Sequence, residues 1–187
     1  MVPIMSLWLP IFLSAVFVFI VSSLIHMVFK YHASDFKKMP GEDQAMDALG
    51  KLKIPPGDYV MPYAGSMKAM ADPAYIEKYK KGPVAFFTIF PSGPPGMGKE
   101  LALWFLYSVV IGIFAAYVAG RALGPGAGYL AVHRFAGVIA FAGYALGLLQ
   151  NSIWYKRSWS STLKSMFDGL IYASVTGGTF GWLWPAA

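Results

Sequence analysis

The chain reads as an all-α membrane protein of four transmembrane helices, with a small α+β region on the cytoplasmic side between the first and second. Three observations predict this. Four apolar stretches, at 7–29, 101–119, 130–150 and 167–184, each approach the ~20 residues that a helix needs to span hydrocarbon. With 57% hydrophobic and 13% charged residues in a length of 187, there is more apolar surface than one small soluble core can hide. All six tryptophans lie near predicted span ends, the depth that indole rings prefer. The division that follows is a first transmembrane helix at 1–29, a loop or cap at 30–99, and a three-helix transmembrane bundle at 100–187.

The first span opens with MVPIMSLW, which holds no lysine or arginine, and its apolar run continues to Phe29. A cleaved signal peptide has a cationic start and a shorter apolar core, so a retained helix is expected. Pro3 and Pro10 fall near its start, where a missing backbone N–H does least harm. Its body is bulky and β-branched, with Ser14, Val18 and Ser22 as the only thin stripe. Helices associate in lipid through close contact of small residues, so this span is expected at the periphery, against lipid or another subunit.

Cations set the orientation. Lys30, Lys37 and Lys38 follow the first span and Lys156 and Arg157 the third, whereas the other side carries only Arg121 and Arg134. The positive-inside rule then places the loop in the cytoplasm and both termini outside, with a bacterial cytoplasmic membrane as the expected location. The net charge of +6 is thereby accounted for at the membrane, and no nucleic acid partner is expected.

Within the loop, the segment 40–52 has acids in its first turn and reads as a short helix, followed by an extended piece at 54–63. Asp72 as N-cap, Pro73 at the first helical position and Gly82 as the stop define a second helix. The segment 82–90, GPVAFFTIF, is β-branched and aromatic and reads as a strand or as an apolar stretch lying on the membrane. GPPGMGKE at 93–100 imitates a phosphate-binding loop. Pro94 and Pro95 lack N–H groups, however, and Glu100 stands where a Mg²⁺-binding hydroxyl belongs, so no nucleotide is expected.

Spans two to four carry ridges of small residues on one face each: Gly112, Ala116 and Gly120; Ala136, Ala140, Gly143 and Gly147; Gly169, Ala173, Gly177 and Gly181. Such ridges let backbones approach closely, and a tight bundle of these spans is expected. Trp154, Lys156, Arg157 and Trp159 form an interfacial connection suited to lipid or a partner. Arg121 and Arg134, flanking the turn at 124–128, suit an anionic headgroup or a partner's carboxylate.

The candidate ligands are few. With no cysteine, thiolate metal sites and sulfur redox chemistry are excluded. His26 and His133 fall near opposite ends of their spans, so each is at most a single ligand, for example to a pigment; a bound lipid is expected and no metal site is. His26 and His32 have only Asp35 as carboxylate support. The middles of the spans hold no ionisable residue, which disfavours a proton-coupled carrier, and Ser174, Thr176 and Thr179 are the one polar cluster at depth. No catalytic residue stands out. The expected role is a non-catalytic accessory or structural subunit of a larger membrane complex, with an energy-converting assembly, respiratory or photosynthetic, as the host reached by elimination. Its partners would be other membrane subunits, met through the first span and the cytoplasmic loop, and membrane lipids. The alternatives are a small channel or carrier lined by the glycine-rich faces, and a membrane enzyme acting on lipid head groups through His26, His32 and Asp35.

Overall fold

In chain order, residues 1–187 of the computed structural model form α1 (Trp8–Met27), α2 (Glu42–Lys51), β1 (Gly57–Met61), α3 (Pro73–Lys81), β2 (Ala85–Ile89), α4 (Gly98–Ala122), α5 (Tyr129–Tyr144), α6 (Leu149–Ile153) and α7 (Trp159–Trp182). They divide into two units, Met1–Lys37 with Gly96–Ala187, and Lys38–Pro95.

Three helical segments of the larger unit, Ile4–Met27, Gly98–Ala122 and Tyr129–Ile153, are long and apolar enough to cross a membrane. The fourth expected span lies in α7. At 24 residues that helix measures about 36 Å, which exceeds the hydrocarbon thickness. Its N-terminal half carries Lys164 and Asp168 and is correspondingly less apolar.

The long helices run up and down in sequence order, each packed on two others: α1 against α4 and α7, and α5 against α4 and α7. The first span is therefore not peripheral. Its side chains at Leu7, Ile11, Ser14, Val18, Ser22 and Ile25 are buried, a stripe at the three-and-four spacing of one helix face. The thin stripe of serines and Val18 is the docking face itself. Ser14 and Ser22 turn their hydroxyls onto the Ile11 and Phe19 carbonyls of their own helix, which removes the polar obstacle to close packing.

Glycine sets the closest approaches. A Cβ at Gly177 of α7 would stand 2.7 Å from the His133 carbonyl oxygen and 3.2 Å from the Gly137 Cα of α5, so the two backbones touch directly. At the other seam, a Cβ on Gly120 would lie 2.7 Å from the Val2 carbonyl oxygen, and the Val2 N–H donates to the Gly120 carbonyl at 2.8 Å. Gly112 faces Ile11, Gly143 faces Ile111, Gly169 faces Ala145 and Gly181 faces Tyr129, while Ala116, Ala136, Ala140 and Ala173 are buried.

The exception is Gly147, which has no neighbour within 4 Å of a built Cβ. The third ridge does not extend that far because the helix gives way at Ala145 (φ −123°, ψ −48°) into a 3-10 turn, Leu146–Leu148. The Tyr107 hydroxyl donates to the Gly143 carbonyl at 2.6 Å, and a side chain that takes a helix carbonyl is a recognised cause of such a break.

In the smaller unit β1 and β2 pair antiparallel, with Tyr59 opposite Phe87 and their rings stacked at 5.7 Å. The segment 82–90 thus supplies a strand. Asp72 caps α3 by accepting from the Ala74 N–H at 2.7 Å, and Gly82 at φ +63° ends it. No residue of Lys38–Pro95 is buried.

Candidate functional site

Beyond α1 the chain folds back in a 3-10 turn, Tyr31–Ser34, whose side chains meet the N-terminal half of α7. Lys164 ties the two together: its Nζ donates to the Tyr31 carbonyl (2.7 Å), the Ser34 Oγ (2.7 Å) and the Asp35 Oδ1 (3.0 Å). One helical turn further on, Asp168 is only 3% exposed. Its Oδ1 accepts from the Tyr31 hydroxyl and its Oδ2 lies 2.7 Å from the His32 Nε2. The His32 Nδ1 lies 2.7 Å from the Asp35 Oδ2. His32 thus bridges two buried carboxylates, donating to both in its protonated form and to one when neutral.

Around this chain of bonds the charges compensate: two carboxylates meet the Lys164 ammonium and a protonatable imidazole, as buried charges require. Burial pushes the Asp35 carboxyl up, but the bonds from His32 and Lys164 outweigh it and hold the group at about 2, below its ordinary 3.8. The Tyr31 phenol is pushed up from 10, first by burial and then by Asp168. It therefore remains a hydrogen-bond donor at any physiological pH.

His26, from the last turn of α1, stacks on His32 with ring centroids 4.9 Å apart and planes 3° from parallel. Its Nδ1 lies 2.9 Å from the Ser22 carbonyl. As a carbonyl can only accept, that contact puts a proton on Nδ1, and in the neutral ring the lone pair then sits on Nε2. One ring nitrogen from each of His26 and His32 and a carboxylate oxygen of Asp168 lie within 4.8 Å of one another.

The expectation of no metal site and of Asp35 as sole carboxylate support thus omitted Asp168, which stands 136 residues from His32. A signal was present: Lys164 and Asp168, four apart, share a helix face, and Asp168 is an acid leading into an apolar run.

Below the cluster lies an aromatic layer. The Trp104 ring is within 6 Å of the Tyr107, Tyr144 and Tyr172 rings. Its Nε1 donates to the Ser22 Oγ at 2.9 Å, so this indole seals α4 against α1. The Tyr172 hydroxyl is buried without a hydrogen-bond partner.

The remaining residues named from sequence are dispersed. His133 lies on α5 beside Tyr129, and with Arg134 it lines a groove of about 290 Å³ that also includes Val138, Phe141, Leu170 and Ser174. Arg121 lines a different groove with Met1 and Val2, its guanidinium 5.6 Å from the Tyr117 ring centre. Trp154, Lys156 and Arg157, on the connection between α6 and α7, and Trp159, the first residue of α7, are all exposed. No protein-family model, curated protein or solved structure matches this chain.

Proposed function

We propose that this chain is an accessory subunit that spans a bacterial cytoplasmic membrane four times, with both termini outside, and that it works within a larger complex without turning over a substrate itself. The proposed host is an energy-converting assembly, respiratory or photosynthetic. The observation that carries the reading is the unit Lys38–Pro95, in which no residue is buried while Met46, Leu52, Tyr63, Met67 and Phe90 are each at least two-thirds exposed. A two-stranded sheet and two short helices without a core are not stable in water by themselves, and such exposed apolar surface marks contact with another protein or with the membrane; we take the first. Further support comes from the bundle. Ser174, Thr176 and Thr179 each donate back to the carbonyl four residues earlier, which leaves a channel little polar lining.

The test is extraction in a mild detergent followed by native mass spectrometry of the untagged chain. A stoichiometric protein partner, lost when residues 38–95 are replaced by a flexible linker, is the expected result. Migration as the lone 20.4 kDa species contradicts the proposal.

The convergence of His26, His32 and Asp35 with Asp168 supports a second reading, a membrane enzyme acting on lipid head groups. Phospholipid turnover that survives alanine at His26, His32 and Asp35 together rejects it.

A further inference from the structure

We infer that His26, His32 and Asp168 form a binding site for one divalent first-row transition-metal ion at the end of the bundle. The inference is independent of whether partner subunits exist. Two imidazoles and one carboxylate make a donor set suited to Zn²⁺, Fe²⁺, Co²⁺ or Ni²⁺, and their ligand atoms already lie within 4.8 Å of one another.

What distinguishes this trio from a chance grouping is the layer behind it. Metal-ligating histidines donate their other ring N–H to a carboxylate or a backbone carbonyl, and both histidines have such a partner. The Nδ1 of His26 is held by the Ser22 carbonyl at 2.9 Å and the Nδ1 of His32 by Asp35 at 2.7 Å. Both rings therefore offer Nε2. Asp35 is itself fixed by Lys164, and the second oxygen of Asp168 is fixed by the Tyr31 hydroxyl. Every one of the three ligands thus has its other polar atom bonded.

Binding replaces the proton between His32 Nε2 and Asp168 Oδ2 with the metal, so the proton leaves to solvent and uptake weakens as pH falls. His26 must tilt out of its parallel stack on His32 for its lone pair to reach the same ion. Its exposed position allows that movement. Three protein ligands leave at least one coordination position for water or another oxygen donor, the pattern of an open site rather than a closed structural one.

The test uses the full chain, purified in detergent without a histidine tag, stripped with a chelator and incubated with ZnCl₂. After gel filtration, wild type retains about one zinc per chain, and X-ray absorption at the zinc edge reads two imidazole ligands. His26→Ala, an exposed position that leaves folding intact, lowers affinity at least tenfold. Asp35→Asn lowers it about 10- to 100-fold through the His32 ring. His133→Ala, on a different helix and outside the trio, leaves binding unchanged. Thermal unfolding of each apo variant separates loss of metal from loss of fold. Zinc held equally by wild type and His26→Ala, or by neither, overturns the inference.

Discussion

At Asp168 a buried carboxylate is shared by a phenol and an imidazole, and removing either partner leaves an acceptor with nothing to accept from. Tyr31→Phe deletes a hydrogen bond to a charged group, for which a loss of about 1.5–3 kcal/mol is expected, read as a lowered unfolding temperature in detergent. Asp35 gives a pH dependence. Its folded value, about 2, lies below the ordinary 3.8, so its contribution is complete above 3.8 and disappears as the pH falls toward 2. In metal-free buffer, the unfolding temperature of wild type should drop through this acid window, and Asp35→Asn should show a shallower slope. Little of this cluster was legible in the sequence. His26, His32 and Asp35 are close along the chain and were recognisable as a loose group, but Asp168 and Lys164 join them only because α7 returns to that end of α1. Sequence spacing carries no information about that juxtaposition.

Among the elements, glycine positions separate contact from coincidence. Gly177 and Gly147 both belong to ridges of small residues, yet one abuts the α5 backbone and the other faces open space. Gly177→Ala is expected to destabilise by about 1–3 kcal/mol, the usual cost of overpacking. Gly147→Ala should be neutral or slightly stabilising, and thermal unfolding of the two variants side by side checks this. The ridges of α4 and α7 were readable because small residues every four positions line one face. The end of the third ridge was not, since the Tyr107 hydroxyl that takes the Gly143 carbonyl comes from another helix. The docking of α1 differs from expectation for a related reason: bulky composition suggests a lipid-facing helix, whereas a stripe with self-bonded serines is enough to pack against α4 and α7. The Asp72 cap and Gly82 stop of α3 were plain in the sequence because capping chemistry is local.

At the scale of the whole molecule, the number of membrane crossings decides the architecture. α1, α4 and the segment Tyr129–Ile153 are long and apolar enough to do so. The case for α7 rests on its length, its glycine contacts with α5 and its antiparallel course. Lys164 and Asp168 need not oppose it, because both are bonded within the cluster at one end of the helix, the arrangement that makes ionisable groups tolerable near a membrane edge. The absence of cysteine makes one measurement decisive: single substitutions Arg157→Cys and Ala186→Cys, on either side of α7, labelled in sealed vesicles with a membrane-impermeant thiol reagent. Four crossings require the two positions to label from opposite sides of the membrane. Labelling of both from the same side would show that α7 does not cross.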